Sequence, residues 1–269
     1  MLAGLLRRYI PGDTFQPDLF EPKSMKLSFA LLTAIGAGVA QFATAADVTG
    51  TVTLSGTPPA AVEIKPLETD PVCGKLHTEK VFTEFYVVGA NKELADTIVM
   101  LKGDNLKAAK ADAGASPVVL DQKGCLYVPQ IVALQTGQKL VVKNSDVAPV
   151  AMHNVHINPT AGPNSSEYST KISQPQMAGA ADLTYNFAAP ENFMKFQCDV
   201  HPWMFAWVTV VDNPYFAVTG KDGKFSIKNV PPGKYKIVAL HRKAAPTGME
   251  KEIEVKDSGA TADFTLEAK

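Results

Sequence analysis

The sequence predicts an all-β protein built from more than one small β-sandwich. Apolar residues alternate with polar ones over short runs, as where Val48, Val52 and Leu54 interleave with threonines. Turn-forming segments separate the runs, as in G-T-P-P at 56–59. The chain has 269 residues, of which 46% are hydrophobic and 20% charged, and this length suits two or three small domains.

An apolar run near the start of the chain has the pattern of a secretory signal peptide. A lysine supplies the positive charge, residues 27–39 the apolar stretch and Ala43-Thr44-Ala45 the small-residue cleavage site. The run is too short and too rich in small residues for a transmembrane helix. We expect residues 1–45 to be a leader, with the signal peptide at 25–45 and with residues 1–24 ahead of the true start. The mature chain is then periplasmic or secreted.

The charge balance excludes some classes of partner. Lysines and arginines number 26 and acidic residues 27, which gives a net charge of −1. The sequence has no basic patch of the kind that indicates nucleic-acid binding. The signal is the one long apolar run, so we expect no transmembrane span in the mature chain.

Residues 46–112 form a β-rich N-terminal region in this interpretation. After the first strand, β-type runs follow at 82–88 and 97–101, separated by a turn at Gly89-Ala90-Asn91. The region is either a small sandwich of its own or an elaborated edge of the next domain. It carries no ligand cluster, and His77 is expected at the surface.

Residues 113–212 hold the next set of strand patterns. We predict a strand and turn at 125–129, strands at 131–134 and 139–144, a loop over 158–181, alternation at 183–187, a strand at 194–196 and a closing strand at 207–211.

A cluster of soft metal ligands lies in F-Q-C-D-V-H-P-W-M-F at 196–205. Cys198, His201 and Met204 fall within seven residues, and thiolate, imidazole and thioether together select copper. An electron-transfer copper usually has a second histidine, and M-H-N-V-H-I at 152–157 is the best source. Zinc is disfavoured because it would not use Met204. An isolated Cys near a His is more often a buried thiol and an ordinary histidine, but four ligands in this arrangement favour a metal.

The run H-N-V-H offers two histidines, His153 and His156. In a strand, residues three apart point to opposite faces. We therefore take His153 as the ligand and His156 as a non-ligand.

The pair H-N-V-H and C-x-x-H-P-W-M resembles the cupredoxins, the small blue-copper proteins of the amicyanin and plastocyanin type. The resemblance implies a Greek-key β-sandwich at 113–212 with one type 1 copper. It also implies that His153, Cys198 and His201 hold the metal with Met204 as a weak axial ligand. Asn154 matches the residue that ties the ligand loops together by hydrogen bonding.

The resemblance has further implications for the surroundings of the site and for function. Phe196, Trp203 and Phe205 would surround the Cys198 sulfur. The edge of the loop histidine would reach the surface inside an apolar patch made by Pro202, Trp203 and Pro149, although plain core packing of Trp203 fits the sequence equally well. The resemblance therefore implies a protein that carries single electrons, with a cytochrome c or an exported dehydrogenase as partner.

Two other function classes stay open at this stage. Copper oxidases and nitrite reductases use the same fold but need further histidine-rich sites, and the chain has five His in all. This count disfavours an enzyme. The second alternative is a copper carrier or an interaction module that retains the site.

The cysteines number three, which is odd for an exported protein. If Cys198 binds copper, Cys73 and Cys125 are free to pair with each other. Two unpaired buried thiols are the alternative.

Residues 213–269 have a sequence pattern that differs from the preceding segment. The run D-G-K-F-S-I-K-N-V-P-P-G-K-Y at 222–235 resembles the carboxypeptidase-regulatory-like, transthyretin-like sandwich, which implies a scaffold without catalysis. Strands are expected around Phe225, Tyr235, Ile253 and Phe264. His241 is expected at the surface.

Overall fold

The computed structural model describes residues 45–103, 106, 111, 115–147, 152–160, 162–168 and 173–269. The predicted leader, apart from Ala45, lies outside the described residues, so the signal peptide stays a prediction. Neither α-helix of the described part of the chain has the length and apolarity that a membrane span requires.

The described residues are mostly β-strand, which confirms the all-β fold class. The elements in chain order are β1 (Ala46–Ser55), α1 (Lys65–Thr69), a 3₁₀ turn (Cys73–Leu76), β2 (Ile98–Lys102), β3 (Val118–Lys123), β4 (Leu126–Val128), β5 (Ile131–Gln135), β6 (Lys139–Asn144), β7 (Met152–Asn158), α2 (Gly162–Tyr168), β8 (Gln174–Met177), β9 (Leu183–Asn186), β10 (Glu191–Gln197), β11 (Phe205–Val211), β12 (Phe216–Val218), β13 (Lys224–Val230), β14 (Gly233–His241), β15 (Ala245–Val255), β16 (Ala260–Thr261) and β17 (Phe264–Glu267).

The central sandwich comprises β3 to β11. Its larger sheet has the order β5-β11-β10-β7-β8 and its smaller sheet the order β4-β3-β6-β9. Apolar side chains of both sheets form one buried core that includes Leu120, Leu140, Val155, Phe196 and Val208. Burial of these side chains on both inner faces holds the two sheets together.

The terminal sandwich takes strands from both ends of the described chain. One sheet joins β1 to β13, β16 and β17, and the other has the order β12-β2-β14-β15. Val52 lies opposite Phe264, and Val99 opposite Ala239. Strands from 46–102 and from 213–269 therefore share sheets and a core, although their sequence patterns alone predict two separate regions. Local alternation identifies a strand but not its partner, and these partners lie more than 130 residues apart.

The other strand predictions divide into those that the structure matches and those that it does not. The runs at 131–134, 139–144, 183–187 and 207–211 lie in or end within one residue of β5, β6, β9 and β11. The predicted strand at 82–88 is wrong: this segment forms only isolated bridges, at Phe82 and Val88. Without a neighbouring strand, its apolar residues cannot build a ladder. The predicted loop at 158–181 contains α2 and β8.

Residues 64–81 form a loop that lies against the central sandwich, which we call the cap segment. Its base is closed by a hydrogen bond from the Ile64 amide to the Val81 carbonyl, 2.8 Å. Leu67 and Cys73 pack on Cys125 in a small buried cluster. A Cys73–Cys125 disulfide joins the cap segment to the turn between β3 and β4, with a Cα–Cα distance of 5.7 Å.

Candidate metal centre

Neighbouring strands bring two parts of the chain together at one end of the central sandwich. β7 and β10 are antiparallel neighbours with Gln197 opposite His156. His153 lies near the start of β7, and Cys198 directly follows β10. His201 and Met204 lie in the seven-residue loop that connects β10 to β11. The loop is closed by the Cys198 amide donating to the Met204 carbonyl (3.0 Å) and the Met204 amide donating to the His201 carbonyl (2.8 Å).

Three of the predicted ligand side chains converge at this end. Nδ1 of His153 lies 3.1 Å from Nδ1 of His201, and Sγ of Cys198 lies 3.6 Å from Nδ1 of His201. One ligand atom from each side chain lies within 4.8 Å of those of the other two. His153 is fully buried, Cys198 is 2% exposed and His201 is 9% exposed. Two nitrogens and one sulfur thus point at a single position.

The side chains around Cys198 match the prediction in part. Met204 is fully buried in the same core as Cys198 and Phe196, and Trp203 packs against that core. Phe205 instead stacks on Phe85, with a centroid distance of 6.4 Å. Placing Phe205 in the apolar shell is therefore wrong, because adjacent residues entering a strand point to opposite faces.

Asn154 ties β7 to the β10–β11 loop. Its side-chain oxygen accepts the amide N–H of Asp199 at 2.8 Å and the thiol of Cys198 at 3.3 Å. Its side-chain nitrogen donates to the Ser173 hydroxyl at 2.6 Å and to Asp199 at 3.1 Å. Asn154 thus makes the loop-bridging bonds expected of the residue that follows the ligand histidine.

His156 does not join the cluster. Its Nδ1 lies 2.9 Å from Oδ1 of Asp199, and its side chain is 35% exposed. His153 and His156 therefore face different environments, as the strand-parity argument predicts.

Asp146 also belongs to the site, although it was not predicted from the sequence. Its carboxylate lies 2.8 Å from Nε2 of His153 and accepts the backbone N–H groups of Gly124 and Cys125. Burial alone would raise the pKa of Asp146, but the hydrogen bond from His153 and the two amides lower it. Its position just after β6 was the only sequence feature that pointed to it, and neighbouring polar residues share that position.

The same contact determines which nitrogen of His153 can bind a metal. Nε2 is occupied by Asp146, so Nδ1 remains for a ligand bond. Burial lowers the pKa of His153, yet Asp146 and Cys198 outweigh burial and raise this pKa to about 9.

The thiol of Cys198 is activated by its neighbours. Burial raises its pKa, but hydrogen bonds with His153 and His201 act more strongly and lower it to about 6. The thiolate is the form that binds metals. The site therefore favours the metal-binding state of its sulfur.

The disulfide lies directly beside the cluster. Sγ of Cys73 is 3.6 Å from Nε2 of His201, and the indole N–H of Trp203 donates to the Cys125 carbonyl at 3.1 Å. The expectation that the edge of His201 reaches the surface is therefore wrong, because the cap segment covers it. Pro202 is exposed, whereas Pro149 lies outside the described residues.

The remaining histidines also differ from expectation. His241 is 2% exposed, so its assignment to the surface is wrong. His77 is half-buried, and its Nε2 lies 2.7 Å from the Gly124 carbonyl oxygen. Both histidines serve packing within the fold.

Comparison with known proteins gives remote likenesses only. No family model and no curated protein matches the chain. Among solved structures, a Cu(I) form of an amicyanin variant is 17% identical over 42% of this chain and 98% of its own, with a TM-score of 0.28. A purple cupredoxin from Nitrosopumilus maritimus is 17% identical over 35% of this chain and 99% of its own, with a TM-score of 0.27.

A copper-containing nitrite reductase from Thermus scotoductus SA-01 is 18% identical over 41% of this chain, with a TM-score of 0.29. The chain spans 27% of the length of that enzyme.

Proposed function

We propose that this chain is an exported type 1 (blue) copper protein that carries single electrons between redox partners. The observation that carries the proposal is the convergence of His153, Cys198 and His201, which each place one ligand atom within 4.8 Å of the other two. With the buried Met204 beside Cys198, this set matches the two-His, one-Cys, axial-Met pattern of electron-transfer copper.

The donor set fits copper chemically. The environment of Cys198 favours the thiolate, the form that a soft metal requires. Asp146 holds Nε2 of His153, so Nδ1 is the nitrogen that would bind the metal, and it would release its proton on binding. When bound, the copper would supply a one-electron redox couple. Met204 would tune that couple as a weak ligand, and the backbone N–H of Asn154, which donates to the Cys198 thiolate, would tune the sulfur.

The chain is built to hold these ligands still. His153 lies in a strand, Cys198 at a strand end, and the other two in a loop closed by two backbone hydrogen bonds. Asn154 and Asp146 hold the loop and the His153 ring. Ligands that move little suit rapid electron exchange, because little reorganisation accompanies it.

The partner in this proposal is a redox protein such as a cytochrome c or an exported dehydrogenase. The chain itself would perform no bond-making chemistry. The signal peptide predicted at 25–45 supports a periplasmic or secreted location. Such a location is oxidising, so the Cys73–Cys125 disulfide would persist there.

The visible absorption spectrum tests the proposal. Metal-free protein is titrated with Cu(II), and the bound copper is counted. We expect one copper per chain and an intense visible band from the Cys198 thiolate, which ascorbate bleaches and an oxidant restores. A colourless protein that retains Cu(I) would identify a copper carrier instead. Stoichiometric Cu(II) without a strong band would overturn the blue-copper assignment.

A further inference from the structure

The disulfide and the two histidines form one continuous set of contacts. Cys73 Sγ lies 3.6 Å from Nε2 of His201. On the other side, the Cys125 amide donates to the Asp146 carboxylate at 2.9 Å, and that carboxylate bonds to His153. The disulfide therefore contacts one candidate ligand directly and reaches the other through a single carboxylate.

The cap segment covers His201 in this arrangement. Within the described residues, both nitrogens of the ring are occupied, Nδ1 by His153 and Cys198, and Nε2 by Cys73. Trp203 lies against the ring with a centroid distance of 5.1 Å. A small molecule or partner protein approaching from this side meets the cap segment before it meets the imidazole.

Few other interactions hold the cap segment in place. Among the described residues, its polar contacts with the central sandwich are the bond between His77 and the Gly124 carbonyl and the contact of Cys73 Sγ with Nε2 of His201. The apolar contact is one small cluster around Leu67, Cys73 and Cys125. Its α-helix has five residues and its 3₁₀ turn four, so neither is stable by itself. The disulfide is therefore the main tie between the cap segment and the β3–β4 turn of the central sandwich.

We propose that the cap segment is a thiol-controlled lid on the metal centre. With the Cys73–Cys125 bond intact, the lid closes the outer face of His201. A dithiol reductant cleaves the bond by supplying two electrons and two protons. Cys73 and Cys125 become thiols, the dithiol closes to its own disulfide, and the lid opens. The lid concerns His201 with or without a metal; its role in controlling copper access rests on the proposed function.

The burial of the disulfide predicts how it responds. Cys73 is 1% exposed and Cys125 is fully buried. A small dithiol can reach the sulfurs only during local opening of the loop. Reduction should thus be slower than for an exposed disulfide.

The first test uses hydrogen exchange of the metal-free full chain, with and without dithiothreitol. Complete reduction is verified by a rise from one to three titratable thiols, since Cys198 is the one free cysteine in the described chain. We expect faster exchange in residues 64–81 and unchanged exchange in β10 and β11. Unchanged exchange in 64–81 after full reduction would overturn the lid. Faster exchange throughout the central sandwich would overturn it too, because the disulfide would then be a general structural staple.

The second test measures the accessibility of His201 itself. Diethylpyrocarbonate labels exposed imidazoles, and the partly exposed His156 provides an internal reference. In the metal-free C73S/C125S variant, labelling of His201 relative to His156 should rise about tenfold, as local opening exposes the ring. The matched control is Leu67→Ala, which loosens the cap packing but keeps the disulfide and should change the ratio little. An equal ratio in wild type and C73S/C125S contradicts the proposal.

A third measurement separates the lid from the proposed function. Copper-loaded wild type, with the disulfide intact, and C73S/C125S, without it, are treated with ascorbate, which reduces copper but not a disulfide, and then with bicinchoninate, a Cu(I) chelator. Faster copper removal from C73S/C125S supports the lid. If His201 labelling responds but the protein binds no copper, the lid stands and the proposed function fails. If the protein is blue but labelling does not respond, the proposed function stands and the lid fails.

Discussion

Asp146 and His153 form a buried ion pair that ties the candidate metal centre to the disulfide turn. The carboxylate lies 2.8 Å from Nε2 of His153, and the exposed fractions of the two side chains are 6% and 0%. The same carboxylate accepts the amide of Cys125, one end of the disulfide. One side chain therefore sets the orientation of a candidate ligand ring and the position of a neighbouring backbone turn.

Replacing Asp146 by Asn should weaken copper binding. The Asn side chain has the shape of Asp but no charge, and its NH2 group cannot accept the N–H groups that the carboxylate of Asp146 accepts. Loss of such a ligand-orienting partner costs about 10–100-fold in metal affinity. Competition with a chelator measures the affinity, and the midpoint potential should shift upward because a negative charge is removed. The control is Asp222→Asn, in a turn of the terminal sandwich. Unchanged affinity in Asp146→Asn would show that the ion pair serves only packing.

Cys198 and Met204 should have separable roles. Cys198→Ser should abolish the visible band, because an alcohol is a poor ligand for a soft metal. Met204→Leu should keep the colour and raise the midpoint potential, since an axial ligand only tunes the centre. Absorption spectra and redox titration of both variants provide the comparison. Equal loss of copper in the two variants is the result that contradicts an axial role for Met204.

The two histidines of H-N-V-H provide a matched pair. His153→Gly should destroy or open the copper site, and added imidazole should restore colour by filling the vacated position. His156→Gln should keep the band, because His156 is partly exposed and bonds to Asp199. Visible spectra with and without imidazole decide the matter. Retained colour in His153→Gly together with lost colour in His156→Gln would shift the ligand register by three residues.

Much of the candidate site could be predicted because its signals are local. Cys198, His201 and Met204 share one loop. Strand parity then selects His153 over His156 as the other histidine ligand from the H-N-V-H run. The cover over His201 could not be predicted in this way. Cys73 is 128 residues from His201 in sequence, and only the folded loop brings them to 3.6 Å. The role of Asp146 was hidden for a similar reason, because its partners come from β7 and from the β3–β4 turn.

The strands of the terminal sandwich were predictable, but their pairing was not. Alternation marks β1 and β13 as half-buried strands. It does not show that Thr49 pairs with Ser226, or that Thr53 pairs with Thr265 in a parallel register. Sheets whose partners are far apart in sequence are specified by the complementarity of whole apolar faces, which a single run does not contain.

The shared sheets predict that residues 213–269 do not fold alone. In the full chain, β13 pairs with β1 and β14 pairs with β2, so the fragment would leave Ile227, Ile237 and Phe264 without their covering strands. Circular dichroism and proton NMR of the isolated fragment should show an unfolded chain. Adding residues 46–102 as a separate peptide should restore dispersed signals. A fragment that folds cooperatively by itself would show that 213–269 is an independent domain.

His241 provides a pH-sensitive contribution to the stability of the terminal sandwich. Its ring is 2% exposed and stacks on Tyr86 with a centroid distance of 5.3 Å. Its Nδ1 accepts the backbone N–H groups of Lys243 and Ala244, at 3.3 and 3.0 Å. Burial lowers the pKa of His241 to about 4. Protonation of Nδ1 would break both hydrogen bonds and place a charge in an apolar core.

The direction of the pH effect follows from these values. Between the folded pKa of about 4 and the unfolded value of about 6.5, the unfolded chain binds a proton that the folded chain does not. The contribution of His241 to stability is therefore complete above pH 6.5 and is lost as the pH falls toward 4. From pH 7.5 to pH 5, the loss from this residue is about 2 kcal/mol. His241→Asn keeps an acceptor near Nδ1 but does not titrate, so urea unfolding should show a smaller loss in the variant by about that amount. Parallel loss in the two proteins would mean that His241 keeps an ordinary pKa in the fold.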